Sequence, residues 1–399
     1  MGDRKRLTTI SSRTAPHPFD EPVYVTRPIL PPLEAYLEHL RDIWTSRQLT
    51  NAGPYSRELN RLLGASLEAS HISLFNNGTM ALMTACRALG LSGEVITTPF
   101  TFPATPHALT WSQITPVFAD IDPITMTIDP VAVESLVTSR TTGILGVHVY
   151  GLPCAVGALQ AIAEKFSLRL MYDAAHALTT RINDQPITNF GDVSMLSFHA
   201  TKLFHTAEGG ALVTRGEQLR QRIDLLRNFG IKNETTVLEC GINGKMSELH
   251  AALGLCALSL IENERAARRE LAAVYRERLG DLPGVTVMPM PPNVILSDQY
   301  FVIRIGESQA GMSRDALCAA LKRFNVFARC YFSPLCSEYP HYKSLPSADP
   351  ARLPVAHAVA QEVLCLPFYG ALGLNGAHRI CDMIEYSFAT HFFGDRSPG

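Results

Sequence analysis

The sequence predicts an α/β protein in which helices wrap a mostly parallel central sheet, followed by a smaller C-terminal α+β domain. The first observation is that short apolar segments alternate with helical segments from His71 to Val213, which is typical of parallel sheets covered by helices. The second is that small, hydroxyl or ionisable residues follow several of these apolar segments, where such sheets bind ligands. The third is the segment Asp281–Pro289, whose Pro and Gly mark a boundary before a second set of strands and helices.

Composition and charge narrow the class of protein. A chain of 399 residues is long enough for about two domains. Its net charge of −2 gives no electrostatic reason to expect nucleic acid or an anionic membrane as a partner. Nine scattered cysteines without metal-ligand spacing predict reduced thiols and no metal site. Because we find no apolar run of membrane-spanning length and no signal-peptide core, we expect a cytoplasmic protein.

The predicted organisation has four parts. They are a loosely ordered N-terminus (1–22), a large α/β domain that binds the cofactor (23–245), a long connecting helix (246–280) and a small C-terminal α+β domain (281–399). The large domain opens with a helix over Leu33–Ser46. A second helix follows, and Ser56 is expected to cap it because serine is a favoured N-cap residue.

A turn after the next predicted strand is a candidate anion site. The strand His71–Phe75 runs into the turn Asn76–Thr79, where a helix begins. Free backbone N–H groups at a helix N-terminus and the positive end of its dipole attract a phosphate, and Thr79 adds a hydroxyl. The turn lacks the lysine that follows in a P-loop. An ordinary N-cap by Asn77 or Thr79 is the alternative interpretation.

Two phenylalanines lie in the loop after the following strand. An aromatic side chain at this position can stack on a flat cofactor ring. Simple packing under the next helix is an equally good interpretation for Phe100 and a weaker one for Phe102. Further strands and helices then lead to the strand that ends at Asp173.

An aspartate and a lysine stand at the ends of two successive apolar strands. Asp173 follows the run Leu168–Met171, and Lys202 follows the strand Val193–Phe198 in a loop of small and hydroxyl residues. Burial lowers the pKa of a lysine and makes it a nucleophilic amine, of the kind that forms Schiff bases with pyridoxal phosphate (PLP). PLP also needs a carboxylate beside its pyridine nitrogen, a task that suits Asp173. Taken alone, Asp173 is better explained as a turn cap and Lys202 as a surface lysine. Together with the candidate anion site, these interpretations become the weaker ones.

The rest of the chain is predicted to contain mostly helices. The turn Gly241–Gly244 precedes a long helix that continues to about Leu279, and Asn243 suits a left-handed position in that turn. Arg329, near Tyr331, is able to bind a carboxylate or phosphate, and a surface arginine is an equally good interpretation. The other predicted elements are a helix Glu217–Asn228, a strand Tyr300–Ile305, a helix capped by Ser313, a strand or loop Val326–Phe332, and helices Pro354–Val363 and Asn375–Ser387.

Together these segments resemble the nucleotide-sugar aminotransferases of the DegT/StrS family, PLP-dependent enzymes of fold type I. The resemblance extends from about Arg27 to Phe388. Five motifs occur in the family's order: NNGTMAL, HVYGLP, DAAHA, SFHATKLFHTAEGGALV and NGKMSELHAALGL. The chain departs from the family in the last motif, where Gly244 and Lys245 replace an aromatic residue and an arginine.

The resemblance implies how the cofactor is held. Lys202 forms the Schiff base and moves protons, Asp173 pairs with the pyridine nitrogen, and His176 lies near the ring hydroxyl. Phe102 stacks on the ring. The residues implied to hold the phosphate are Gly78, Thr79, Ser197 and, from the neighbouring subunit, Asn243. A homodimer with shared active sites is therefore implied.

The implied activity is transfer of an amino group from L-glutamate to a nucleotide-linked keto sugar. We expect the acceptor to be a 4-keto-6-deoxysugar, dTDP-4-oxo-6-deoxy-D-glucose, and the products to be an amino sugar and 2-oxoglutarate. Arg329 and Tyr331 match a family segment near the substrate entrance. The alternatives are amination at C3 and a non-catalytic PLP-binding or regulatory protein of the same fold.

Two other kinds of PLP enzyme fit the sequence less well. Related 3-dehydratases carry histidine in place of the Schiff-base lysine, so Lys202 argues against them. A cysteine desulfurase would need a reactive cysteine, for which Cys330 and Cys336 are candidates by position only.

Overall fold

The computed structural model describes residues 15–394, with side-chain burial described to residue 391. Most of the predicted loosely ordered N-terminus, residues 1–14, lies outside the described residues. Residues 15–22 contain no helix or strand. No helix within the described range is both long and apolar enough to cross a membrane.

A seven-stranded sheet forms the centre of the N-terminal part. Its strands in chain order are β1 (Ile72–Phe75), β2 (Glu94–Thr97), β3 (Thr115–Phe118), β4 (Thr141–Val147), β5 (Arg169–Asp173), β6 (Val193–Ser197) and β7 (Gly210–Thr214). The spatial order is β1-β7-β6-β5-β4-β2-β3, and only β7 runs antiparallel to its neighbours. The predicted α/β class with a mostly parallel sheet is therefore confirmed. Because β5 and β6 are parallel neighbours, Asp173 and Ser197 end at the same edge.

Helices cover this sheet, and the residues at their N-termini determine where they begin. They are α1 (Leu33–Ser46), α2 (Pro54–Ser66), α3 (Gly78–Ala88), α4 (Ala104–Trp111), α5 (Pro130–Ser135), α6 (Val156–Phe166) and α7 (Glu217–Leu226). The prediction that Ser56 caps α2 is wrong, because α2 begins at Pro54 and its N-cap is Gly53. Proline suits the first helical position, since its fixed φ is helical and its missing N–H is not needed there. The Glu248 carboxylate accepts hydrogen bonds from the N–H groups of Tyr55 and Ser56 at 2.8 and 3.2 Å and so satisfies this helix end.

The predicted single connecting helix is wrong, because the structure divides it into α8 (Glu248–Leu258) and α9 (Ile261–Leu279). At the break, the Ser259 hydroxyl donates to the carbonyl of Cys256, and the N–H of Leu260 bonds only three residues back. The two helices also bury their apolar faces in different cores. The apolar face of α8 joins the core beside α2, and that of α9 joins the C-terminal core.

The C-terminal part has its own antiparallel sheet, in the spatial order β8-β9-β10. Its elements are β8 (Val285–Val287), β9 (Phe301–Ile305), β10 (Val363–Leu366), α10 (Glu307–Ala310), α11 (Arg314–Arg323), α12 (Pro354–Glu362) and α13 (Gly373–Gly394). Ser313 caps α11 as predicted, accepting from the N–H of Ala316 at 3.2 Å. Strand β10 was not predicted, and the predicted helix Pro354–Val363 included only its first residue.

Short two- and three-residue strands complete the fold. They are Val23–Tyr24, Arg181–Ile182, Gln185–Pro186, Ile231–Asn233, Thr236–Val237, Val294–Ile295 and Val326–Phe327. Val23–Tyr24 pairs in parallel with Val326–Phe327, the strand at the start of the predicted strand or loop Val326–Phe332. Val23 also packs in the C-terminal core, so the strand Val23–Tyr24 contacts the last third of the chain. The four-part domain division stays a prediction.

Candidate active site

The turn after β1 leaves two backbone donors free at a helix start. Asn77 is the N-cap of α3, and its side-chain oxygen accepts from the N–H of Met80 at 2.8 Å. The N–H groups of Gly78 and Thr79 donate to no protein acceptor among the described residues. The cap and the anion site are therefore compatible, because capping uses only one of the free donors.

Gly78 lies against the end of β6, where Ser197 stands. A Cβ on Gly78 would meet the sulfur of Met195 at 3.1 Å and Cβ of Ser197 at 3.4 Å. Glycine therefore allows the turn to approach the strand closely. Thr79 is exposed beside it, so the structure brings three of the four predicted phosphate-binding residues together.

Asp173, at the end of β5, is a buried carboxylate held by neutral donors. Thr105 donates its hydroxyl to one oxygen at 2.7 Å, and the N–H of Ala175 donates to the other at 3.0 Å. Burial raises the pKa of Asp173 above its ordinary value, against the lowering effects of these bonds and of Lys202. Among the described residues, no cationic side chain hydrogen-bonds to this carboxylate.

Lys202 projects from the loop after β6 towards Asp173. The residue is half-buried, but its ammonium nitrogen is enclosed by protein. Burial lowers the pKa of Lys202 to about 8, although the charge of Asp173 raises it. Among the described residues, its Nζ makes no hydrogen bond. A neutral amine at this position is nucleophilic near neutral pH.

His176 lies three residues after Asp173 in a buried aromatic cluster. Its Nδ1 accepts a hydrogen bond from the N–H of Tyr150 at 3.1 Å. The proton of the neutral ring is therefore on Nε2, which is free to donate. Burial and the charge of Lys202 lower the pKa of His176 well below its ordinary value, so the ring stays neutral. The ring lies parallel to that of Phe332, with centroids 6.1 Å apart.

The structure separates the two loop phenylalanines. Phe100 is fully buried and packs edge-on against Tyr150 and Phe332, so it serves the core. Phe102 is 57% exposed and lies three residues before Thr105. It is therefore at the same edge as Asp173 with a ring face accessible, and its stacking on a cofactor stays a prediction.

Tyr331 reaches this region through aromatic contacts, and Arg329 lies two residues before it in the chain. Arg329 pairs its backbone with Cys365 in the C-terminal part and exposes its guanidinium. The ring of Tyr331 lies 5.9 Å from that of Tyr300, which in turn lies 5.0 Å from the His176 ring. Their role in substrate binding stays a prediction.

Asn243 lies exposed beside the turn Asn76–Thr79 of its own chain. Its backbone carbonyl accepts from Asn76 at 3.5 Å, and its side-chain oxygen accepts from the Lys245 ammonium at 3.0 Å. The Lys245 ammonium also donates to Asn228 at 2.6 Å. Lys245, where the chain departs from the family pattern, thus holds the Asn243 side chain. The contact of Asn243 with a neighbouring subunit stays a prediction.

Sequence reasoning missed three groups that hold the site. Thr105 orients Asp173, the Tyr150 N–H sets the tautomer of His176, and Ser297 donates its hydroxyl to the His176 carbonyl. Gly151, with φ of +90°, approaches Ser297 so closely that a Cβ would meet its hydroxyl oxygen at 2.4 Å. In the sequence, the motif HVYGLP contains Tyr150 and Gly151 and could have indicated these two residues. No motif indicated Ser297.

The donor set fits PLP. The free N–H pair at the start of α3 suits a phosphate, and the enclosed amine suits an aldehyde. The buried carboxylate, whose hydrogen bonds within the described residues come from neutral donors alone, suits a protonated pyridine nitrogen. No group of three metal-ligating side chains able to hold a metal ion occurs within residues 15–394.

Comparisons with known proteins agree with this geometry. Residues 33–385 match the sequence profile of the DegT/DnrJ/EryC1/StrS aminotransferase family. A dTDP-4-amino-4,6-dideoxy-D-glucose transaminase of Shigella dysenteriae is 42% identical over 93% of this chain and 98% of that protein. A protein of the same name from Escherichia coli is also 42% identical, over 88% of this chain and 94% of its own.

Solved structures match over nearly the whole chain. DesI, solved in the presence of its TDP-sugar product, superposes with a TM-score of 0.89 at 39% identity, covering 94% of this chain and 95% of its own. Helicobacter pylori PseC, an aminotransferase involved in the biosynthesis of pseudoaminic acid, superposes with a TM-score of 0.85 at 28% identity, covering 92% and 99%. The predicted fold-type-I architecture is thereby confirmed.

Proposed function

Because this chain belongs to the DegT/DnrJ/EryC1/StrS aminotransferase family, we propose that it uses PLP to move the amino group of L-glutamate to dTDP-4-oxo-6-deoxy-D-glucose. The products are the 4-amino sugar nucleotide and 2-oxoglutarate. The observation that carries the proposal is the enclosed amine of Lys202 beside the buried carboxylate of Asp173, next to a helix start with two free donors. The choice of sugar is supported by relatives that are 42% identical and carry dTDP-4-amino-4,6-dideoxy-D-glucose in their names.

Few residues supply the contacts to the phosphate and the ring of PLP. The N–H groups of Gly78 and Thr79, with the hydroxyl of Ser197, bind the phosphate. The Nε2–H of His176 donates to the ring hydroxyl, and Phe102 covers one ring face. When bound, PLP supplies an electron sink for the electrons of the amino acid's Cα–H bond.

Asp173 and Lys202 carry the proton chemistry. The Asp173 carboxylate accepts from the protonated pyridine nitrogen, a charge-assisted hydrogen bond worth about 1.5–3 kcal/mol. The amine of Lys202 would hold the cofactor aldehyde covalently and, once displaced by the amino acid, would move the proton from the amino acid's Cα to the C4′ carbon of the cofactor. Burial suits this task, because a pKa of about 8 leaves the amine able to gain and lose a proton near neutral pH.

The remaining alternatives are weaker in this structure. Burial raises the pKa of Cys336 to about 12, and its thiol donates to the carbonyl of Thr101 at 3.2 Å, so it is not a reactive thiolate. A hydrogen bond with Cys318 and burial raise the pKa of Cys330 above its ordinary value. A desulfurase therefore has no nucleophile at either predicted position.

We propose a homodimer as the active form, with Asn243 of each subunit facing the other subunit's phosphate.

An absorbance spectrum of the purified protein with PLP tests the proposal. We expect a visible band from the lysine-bound cofactor, bleaching on addition of L-glutamate. The glutamate-treated protein should then aminate dTDP-4-oxo-6-deoxy-D-glucose and regain the band, with the amine located at C4 by NMR. Lys202→Ala should lose the band, whereas Lys165→Ala, an exposed ion-paired lysine, should keep it.

Three outcomes contradict parts of the proposal separately. A protein that takes up no PLP contradicts the cofactor assignment. A band that survives in Lys202→Ala contradicts the lysine assignment. Amination of a 3-keto isomer in place of the 4-keto sugar would move the reaction to C3.

A further inference from the structure

The peptide groups on both sides of Lys202 are held by one side chain from the C-terminal part of the chain. Gln299 accepts a hydrogen bond from the N–H of Leu203 at 2.6 Å through Oε1. Its Nε2 donates to the carbonyl of Thr201 at 3.1 Å. The backbone partners fix which amide atom is oxygen and which is nitrogen, because an N–H only donates and a carbonyl only accepts.

These two bonds restrict the backbone angles of Lys202. The Thr201 carbonyl belongs to the peptide before Lys202, and the Leu203 N–H belongs to the peptide after it. The N–H of Lys202 itself donates to the carbonyl of His199 at 2.9 Å, which holds the first peptide from its other side. With both peptide planes held, the direction of the Lys202 Cα–Cβ bond is set by this loop and by Gln299.

Gln299 is itself firmly anchored. Its side chain is 2% exposed, and Arg268 on α9 donates to its carbonyl at 3.3 Å and to that of Asp298 at 3.0 Å. Arg268 is 1% exposed and pairs with Glu264 at 2.7 Å. A series of contacts therefore connects α9, through the segment before β9, to the loop that contains Lys202.

We propose that Gln299 is a positioning residue for Lys202, whose amide clamps both flanking peptides and aims the amine at the cofactor aldehyde and the substrate Cα. This inference rests on the proposed role of Lys202. An amine that is misdirected still lies in the pocket but forms and breaks its bond with the cofactor less readily, since catalytic groups act only within a narrow geometry.

The test compares Gln299→Leu with the wild type, because leucine has a similar size and lacks both hydrogen-bonding atoms. We expect the apparent Kd for PLP to rise about tenfold, the factor expected when hydrogen bonds of ordinary strength are lost. The rate constant for bleaching by saturating L-glutamate should fall by about tenfold or more, while the half-saturating glutamate concentration changes by about threefold at most. A wild-type Kd together with a wild-type bleaching rate would overturn the inference.

A matched control separates positioning from general loss of stability. Tyr275→Phe on the same helix α9 removes one buried hydrogen bond, to the carbonyl of Pro367 at 2.9 Å, and contacts no part of the lysine loop. It should lower the melting temperature and leave both PLP affinity and the bleaching rate unchanged. If it changes them as much as Gln299→Leu does, the effect is structural and the inference falls.

A second variant covers the case in which Gln299→Leu fails to fold. In Gln299→Glu the carboxylate still accepts from Leu203 but cannot donate to Thr201, so we expect a partial loss of PLP affinity. A wild-type Kd in this variant would contradict the clamp. A band that persists in Lys202→Ala would instead contradict the proposed function, so the two failures are distinguishable.

Discussion

At the residue scale, burial sets the protonation of the ionisable groups at the site. Burial raises the pKa of Asp173 and lowers that of Lys202 to about 8, and the attraction between their charges offsets these shifts only in part. His176 is held neutral for the same reason. Burial therefore shifts each of these groups towards its neutral form, and a protonated pyridine nitrogen beside Asp173 would favour the carboxylate.

The first prediction concerns the pH dependence of Lys202 in the cofactor-free protein. Labelling of its amine by an acylating reagent should rise with pH with a midpoint near the pKa of about 8, and not near the ordinary 10.5. Peptide mass spectrometry measures the labelled fraction, with the exposed Lys232 as an internal reference. A midpoint near 10.5 would contradict the burial of the amine.

The sign of the linked stability change follows from the same shift. Between pH 8 and 10.5 the unfolded lysine is protonated and the folded one is not, so folding gains stability as pH rises. Below that range the buried ammonium costs stability. The free energy of unfolding of the cofactor-free wild type should therefore rise relative to that of Lys202→Met as the pH rises through this window. Urea unfolding at a series of pH values measures this difference.

The second prediction concerns the orientation of Asp173. Thr105→Val keeps the side-chain shape and removes the hydroxyl that donates to this carboxylate at 2.7 Å. Loss of a hydrogen bond to a charged group costs about 1.5–3 kcal/mol, so the glutamate bleaching rate should fall by about tenfold or more. Stopped-flow absorbance measures this rate.

Thr101→Val is the matched control for Thr105. Among residues 15–394, it removes a hydroxyl that bonds only to Thr105, at 2.9 Å, and not to the carboxylate. Equal losses in both variants would mean that the hydroxyl contact with Asp173 is not the cause.

At the element scale, the site depends on how closely the turn before α3 approaches β7 and β6. Gly210 opens β7 and pairs with Phe75 on one side and Ser197 on the other. A Cβ on Gly210 would lie 2.8 Å from backbone atoms of Asn77 and Gly78. Backbone atoms give way less easily than the end of a side chain, so the turn itself would have to move.

The third prediction follows from that contact. Gly210→Ala should displace the turn and weaken binding of PLP by about tenfold or more, at a stability cost of about 1–3 kcal/mol from overpacking. Binding of pyridoxal, which lacks the phosphate, should weaken much less. Fluorescence titration with the two ligands measures the difference.

Gly216→Ala provides the control for Gly210→Ala. A Cβ at Gly216, just beyond the other end of β7, meets nothing within 4 Å. Equal losses of PLP and pyridoxal affinity in Gly210→Ala would show that the phosphate turn is not the part disturbed.

At the scale of the whole molecule, exposed apolar side chains on α1 and near it are candidates for a subunit interface. Leu30, Leu33, Trp44 and Leu49 are each at least half exposed. An apolar group of this kind on a protein surface is typical of subunit interfaces. This surface and the exposed Asn243 together support the proposed dimer with shared sites.

The fourth prediction tests whether Asn243 acts across subunits. Asn243→Ala and Lys202→Ala are each expected to be nearly inactive alone. Mixed after reversible dissociation, they should form hybrid dimers in which one site has both native residues, so about a quarter of all sites recover. Turnover of the mixture measures this recovery. Its absence in confirmed hybrids would place Asn243 in its own subunit's site.

Most of the sheet and helix order was predictable, because the apolar periodicity of each segment is local. The cofactor-binding candidates Gly78, Thr79, Asp173 and Lys202 were also predictable from residues adjacent to them in sequence. Where local signals conflicted with packing, the prediction was wrong. The continuous helical pattern from Glu248 to Leu279 breaks at Ser259 because its two halves pack in different cores.

The sequence by itself determined the fold class and the family and indicated the candidate residues of the reacting centre, because each follows from patterns that are local in the sequence. Only the tertiary structure decided what holds those residues. Thr105 meets Asp173 across 68 positions, Tyr150 meets His176 across 26, and Gln299 meets Leu203 across 96. Such partners leave no local signal, because a hydrogen bond depends on separation in space, and the packing of the whole chain sets that separation.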